Sequence, residues 1–168
     1  RQRQMCIRDS ATSMIKVIKL PMGGSVTLFS MLFIVLIGYW YGIKTGLTAA
    51  IAYGVLQLLL DPYILNIPQV LLDYILGFGA LGLSGIFSKS KHGLVKGYII
   101  GVIGRFICSF LSGWIFFAVY TPDFFNSAIL YSVVYNGSYI GLEAVVTLVV
   151  ISLPPVNKAL AYVKNNLV

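Results

Sequence analysis

The sequence predicts an all-α fold: a polytopic membrane bundle of six transmembrane helices, the first truncated in this chain. Three observations predict it. Hydrophobic residues fill 58% of the 168 positions and charged residues 10%, with a mean hydropathy of +0.90. A soluble domain carries about 25% charge, so too little polar matter is present for a solvated surface. The apolar residues fall in runs that suit helices of roughly 20 residues, the reach of a bilayer core. The charges stand singly between those runs, as in membrane topology signals. An ordinary soluble domain, a disordered chain and a disulfide scaffold are all excluded.

The elements follow in order. Residues 1–10, RQRQMCIRDS, differ in composition from the rest. Met5-Cys6-Ile7-Arg8-Asp9 matches the translation of a sequencing-library transposase adapter (ATG TGT ATA AGA GAC). The stretch is set aside as a non-native leader, leaving 11–168 as one transmembrane domain. The surviving part of the first helix is Ala11–Leu20, stopped by Pro21, Gly23 and Gly24. Val26–Tyr41 is the second, closing on the interfacial aromatics Tyr39, Trp40 and Tyr41. Thr45–Leu60 is the third, and Asp61-Pro62-Tyr63 with Asn66 and Pro68 makes a turn-rich loop. Val70–Phe87 is the fourth, followed by a basic loop with Lys89, Lys91 and His92. Gly97–Tyr120 is the fifth, and Ile129–Leu153 the sixth, stopped by Pro154-Pro155. Gly42/Gly46, Ala50/Gly54 and Gly97/Gly101 have the four-residue spacing of close helix packing.

The charges give an orientation. Lys44, Lys89, Lys91, Lys96, Lys158 and Lys164 fall in alternate loops and the tail, with no acid among them. Asp61 and Asp123 hold the opposite loops, with no base. The basic set is therefore cytoplasmic and both termini are inside. Lys16 and Lys19 are exceptions whose stems can snorkel to the outer interface. The net charge of +7 is spread in this way. It is no nucleic-acid footprint, which needs clustered Lys and Arg on a polar face. Cys6 and Cys108 suggest neither a disulfide nor a metal site.

Ionisable groups inside membrane helices are costly and mark candidate functional positions. Three qualify: Asp73, Arg105 and Glu143. Asp73, in the first turn of its helix, reads either as a cap on free amides or as an anion facing a pocket. Arg105 and Glu143 reach similar depth and are expected to form a structural ion pair. Arg105, Ser109, Gly113 and Phe117 share one helix face at four-residue spacing. Asn136, Tyr139 and Glu143 share another. With Tyr63 and Gln69, a carboxylate, two amides and several rings converge at the outer mouth. An apolar pocket with a few convergent polar groups is the default ligand site, and rings beside a carboxylate suit a flat cation. Catalysis finds no support: His92 stands alone in a basic loop, and paired carboxylates, metal clusters and phosphate loops are missing from the sequence.

Several motifs resemble one known family. They are Pro21-Met22-Gly23-Gly24-Ser25-Val26-Thr27-Leu28, Tyr53-Gly54-Val55-Leu56-Gln57, Pro62-Tyr63-Ile64 and Gln69-Val70-Leu71-Leu72-Asp73-Tyr74. Gly79-Ala80-Leu81-Gly82-Leu83-Ser84-Gly85 and Tyr131-Ser132-Val133-Val134-Tyr135-Asn136-Gly137-Ser138 complete the set. In this order they resemble the thiamine-specific substrate-binding subunits of energy-coupling factor transporters over about residues 14–153. The resemblance implies a six-helix, non-enzymatic subunit of a bacterial plasma membrane that captures thiamine from outside. It implies a transmembrane coupling subunit and two ATPase subunits as partners, and no cofactor. It also implies that Asp73 and Tyr74 contact the charged and aminopyrimidine parts, with Tyr63, Tyr131 and Asn136 as further contacts. Two positions depart from the family: Ser109 stands where a histidine is usual, and Phe117 where a tryptophan is usual. The implied ligand is thus thiamine or a related small molecule such as a precursor; the alternative is a membrane structural protein without ligand, its rings an interfacial aromatic belt.

Overall fold

The computed structural model describes residues 16–19, 25–27, 29–60, 62–122 and 125–167. The proposed leader at 1–10, and Asp61 and Asp123, lie outside them. The first described elements are a short antiparallel pair, β1 (Lys16–Lys19) and β2 (Ser25–Thr27), in which Lys19 faces Ser25 and Ile18 faces Val26. This corrects the helix expected over Ala11–Leu20, at least for Lys16–Lys19. A ten-residue helix reaches only about 15 Å, half a bilayer core. The β-branched Val17 and Ile18 favour pairing instead.

The remainder is helical: α1 (Ser30–Tyr41), α2 (Ile43–Leu60), α3 (Ile67–Phe87), α4 (Gly93–Phe116), α5 (Ala128–Ser152) and α6 (Pro154–Leu167). Of these, α2 to α5 are long and apolar enough to cross a membrane, and α1 is a shorter apolar helix. The second to sixth expected helices therefore recur with boundaries shifted by a few residues, as a helical bundle with one small hairpin. Ile51, Val55, Ile103, Ile107, Val145 and Val149 point outward from it. In a soluble protein such a surface would aggregate; against lipid it is at home.

Only Gly42 separates α1 from α2, at φ 85, a left-handed value that glycine takes without a Cβ penalty. Helix α3 is the centre, packed against α1, α2 and α4. The core between them holds Met31, Ile34, Val35, Leu81, Tyr98 and Ile140. The small-residue spacing serves packing within the chain. Gly46 lies against Gly38 and Gly82, Gly97 against Ser84, and Gly101 against Leu81. A Cβ on Gly54 would overlap the carbonyl oxygen of Tyr74.

The sixth expected helix stops before Pro154-Pro155, at Ser152. The two prolines then open α6 in the tail, because proline's missing N–H costs nothing in a first helical turn. Val156, Leu160 and Val163 form its inward stripe. Trp40 Nε1 donates to the Leu160 carbonyl at 3.3 Å. The Lys164 ammonium donates to the Ser88 carbonyl and sits 3.7 Å from the Tyr39 ring centroid. Burial there pushes the Lys164 amine down from its usual value.

Candidate ligand-binding site

One end of the bundle gathers the 62–66 loop, the start of α3, the end of α4 and the start of α5. Helix α3 does not begin as a regular helix. Asn66 caps it, its Oδ1 accepting from Gln69 N at 2.9 Å, with Pro68 in the first turn. Leu71–Leu76 is a π-helical stretch, seen in the Gly77 N–H reaching back to the Leu72 carbonyl. Such widened turns recur at functional sites. Asp73 sits inside it, so the helix-cap reading of Asp73 falls: Asn66 has that task.

The carboxylate is held from two helices. Asp73 Oδ2 accepts from Gln69 Nε2 at 2.7 Å and from Ser112 Oγ of α4 at 2.8 Å. Gln69 is 1% exposed and Ser112 also 1%. Asp73 Oδ1 takes no hydrogen bond among the described residues. The next residue, Tyr74, turns its hydroxyl to the loop and accepts from Tyr63 N at 3.1 Å. The Tyr63 ring stacks on Phe117 at 5.6 Å and 22°.

Helix α5 supplies the facing wall. Phe125 and Tyr131 meet edge to face at 5.2 Å, and Tyr131, Tyr135 and Tyr139 follow along the helix with 5.8 Å between successive rings. Asn136 is buried; its Nδ2 donates to the Ser132 carbonyl at 3.0 Å, and its Oδ1 accepts from Tyr139 OH at 2.9 Å. Ser132 Oγ donates to the Phe110 carbonyl of α4 at 2.8 Å. Gly113 lets this approach happen, since a Cβ there would strike Ser132 and Asn136. Ser109 is buried one turn earlier, at the Tyr139 hydroxyl.

The structure thus brings Tyr63, Asp73, Tyr74, Ser109, Phe117, Tyr131 and Asn136 to one end of the bundle. It does not pair Arg105 with Glu143. The Arg105 guanidinium lies 4.0 Å over the Phe78 ring. Glu143 Oε1 accepts from Ser30 Oγ and Met31 N, both at 3.1 Å. The reason is α1. At 12 residues it starts inside the bundle, and its first amides need an acceptor that no water supplies. A carboxylate is also the favoured charge at a helix N-terminus. The two side chains turn to different neighbours.

Sequence reasoning missed Ser112. It stands three residues after Ser109 on the same helix, yet 39 residues from Asp73, and no local pattern joins them. Gln69 was seen only as one of two amides near the mouth. Among the described residues no group of three His, Cys, Asp or Glu gathers as a metal site.

A multi-pass helical membrane protein that gathers a held carboxylate and stacked rings at one end has the build of a ligand-binding membrane protein. Comparison with known proteins gives the family. Residues 9–162 match the family described as thiamine transporter protein (Thia_YuaJ), and the chain belongs to it. It is 32% identical over 150 residues to the thiamine transporter ThiT of Bacillus subtilis strain 168, covering 81% of this chain and 77% of that one. It is 29% identical over 127 residues to ThiT of Lacticaseibacillus paracasei, covering 66% and 63%. A solved structure of ThiT from Listeria monocytogenes shares the fold, with a TM-score of 0.67 at 22% identity, over 92% of this chain and 97% of that one.

Proposed function

We propose that this chain is the thiamine-capturing subunit of a transporter, binding the vitamin at the end of the bundle that carries Asp73. Residues 11–168 act as the single binding domain. The observation that carries the reading is the Asp73 carboxylate, fixed through Oδ2 and taking no hydrogen bond at Oδ1 among the described residues, at the end of the bundle that also carries the Tyr63–Phe117 stack. Thiamine offers a cationic thiazolium, a flat aminopyrimidine and a hydroxyethyl arm. Opposite charge and a nearby ring face favour such a cation. Tyr74, Tyr131, Asn136 and Ser109 supply the remaining polar contacts.

The ligand end faces outward, and the C-terminal helix α6 lies on the cytoplasmic side of a bacterial membrane. Exposed Lys44, Lys89, Lys91, Lys96 and Lys158 at the other end of the helices support this orientation. The chain has no phosphate loop of its own, so uptake draws on a transmembrane coupling subunit and two ATPases of the energy-coupling factor type.

Calorimetry on the detergent-solubilised protein tests the reading, with thiamine, its pyrimidine half and its thiazole half as ligands. Heat is the suitable signal, because Trp40 is tied to α6 and Trp114 is 43% exposed on α4. Binding of whole thiamine, lost in Asp73→Asn, is the expected result. Binding of one half alone would redirect the assignment to a precursor. Silence from all three would overturn it.

A further inference from the structure

We propose that Gln69 is a positioning residue: it holds Asp73 Oδ2 so that Oδ1 is presented to the ligand, and it joins that carboxylate to the loop carrying Tyr63. The proposal rests on the site assigned above but stands on hydrogen bonds that exist without ligand.

The polarity of the chain of bonds is forced. The Leu65 backbone N–H can only donate, and it donates to Gln69 Oε1 at 3.2 Å. That fixes which end of the amide is oxygen. The NH2 end must then face Asp73, and Nε2 donates to Oδ2 at 2.7 Å. Gln69 is itself clamped, because its own N–H donates to Asn66 Oδ1 at 2.9 Å. A flipped amide would set oxygen against carboxylate and NH2 against the Leu65 N–H, failing at both ends. A residue 1% exposed has no water to repair such a failure.

The loop is thereby linked to the carboxylate at one point. Leu65 hangs on Gln69, whereas Tyr63 hangs on the Tyr74 hydroxyl, a separate anchor. Loss of the Asp73 acceptor frees the Gln69 amide to rotate and releases Leu65, with no change at Tyr63. General loosening of the loop would release both.

Amide hydrogen exchange on the ligand-free full chain in detergent reads this difference. Asp73→Ala does not touch Leu65 directly. The expected result is exchange at Leu65 at least about fivefold faster, with exchange at Tyr63 unchanged. Gln69→Met, which fills similar volume, is expected to do the same. Equal acceleration at both amides, or none at Leu65, overturns the proposal. Thiamine binding gives a second arm. Gln69→Glu keeps an acceptor for Leu65 but sets a second carboxylate against Asp73. Binding about tenfold weaker is expected; wild-type affinity would overturn it. A wild-type chain that binds no thiamine would sink the functional assignment alone, leaving hydrogen exchange to decide the role of Gln69.

Discussion

The bundle encloses two carboxylates among the described residues, and their surroundings differ. Glu143 meets the start of α1, where a backbone amide and a hydroxyl converge on Oε1. Asp73 meets side chains from two helices on Oδ2, while Oδ1 takes none. The first arrangement is a repair: a helix that begins inside an apolar bundle exposes amides that need an acceptor. The second is a presentation, in which one oxygen is spent on holding the group still and the other is kept back. The difference teaches that burial of charge in a membrane protein is not by itself a sign of a ligand site. The donors separate the two cases: the first residues of α1 at Glu143, side chains of α3 and α4 at Asp73.

Four substitutions break or sharpen that contrast. Asp73→Asn keeps the shape and removes the charge; we expect thiamine affinity to fall about a hundredfold, or about 3 kcal/mol, with little change in thermal unfolding. A large loss of unfolding temperature instead would make Asp73 structural too. Glu143→Leu should do the reverse. It strands the Met31 N–H and is expected to cost about 2 kcal/mol of stability, read by thermal unfolding in detergent. Ser112→Ala removes one of two donors to Oδ2 and should weaken binding by about 1 kcal/mol in calorimetry. Phe117→Trp offers a better face to a cation and should tighten binding by about 0.5 kcal/mol. The same change with a neutral pyrimidine ligand should give no gain.

Much of the fold was legible in the sequence because hydropathy and length decide what crosses a bilayer. The ends expected for α2, α4 and α5 lie within a few residues of those observed, since Pro62, the basic 89–93 loop and Pro122 mark them physically. The expectations failed where a distant partner sets the outcome. Lys16–Lys19 pairs with Ser25–Thr27, a choice that hydropathy does not encode. Depth placed Arg105 and Glu143 level but could not give their rotation, and α1 took the carboxylate. Asp73 was recognisable as a costly ion, and Tyr63 and Phe117 as rings near it. Ser112, the π-helical turn and the polarity of the Gln69 amide depend on how α3 and α4 face each other, which no spacing along one helix reveals. Pro154 and Pro155 do mark the end of α5, because proline breaks helix interiors, and at the head of α6 the same residues are permissive.

The contact between Gly54 and the Tyr74 carbonyl has a mechanical consequence. With no side chain between them, α2 bears directly on the backbone that carries Tyr74, and Tyr74 in turn holds Tyr63 through its hydroxyl. Any side chain added at position 54 would therefore press on the main chain that carries Tyr74, and through the Tyr74 hydroxyl on the loop at Tyr63.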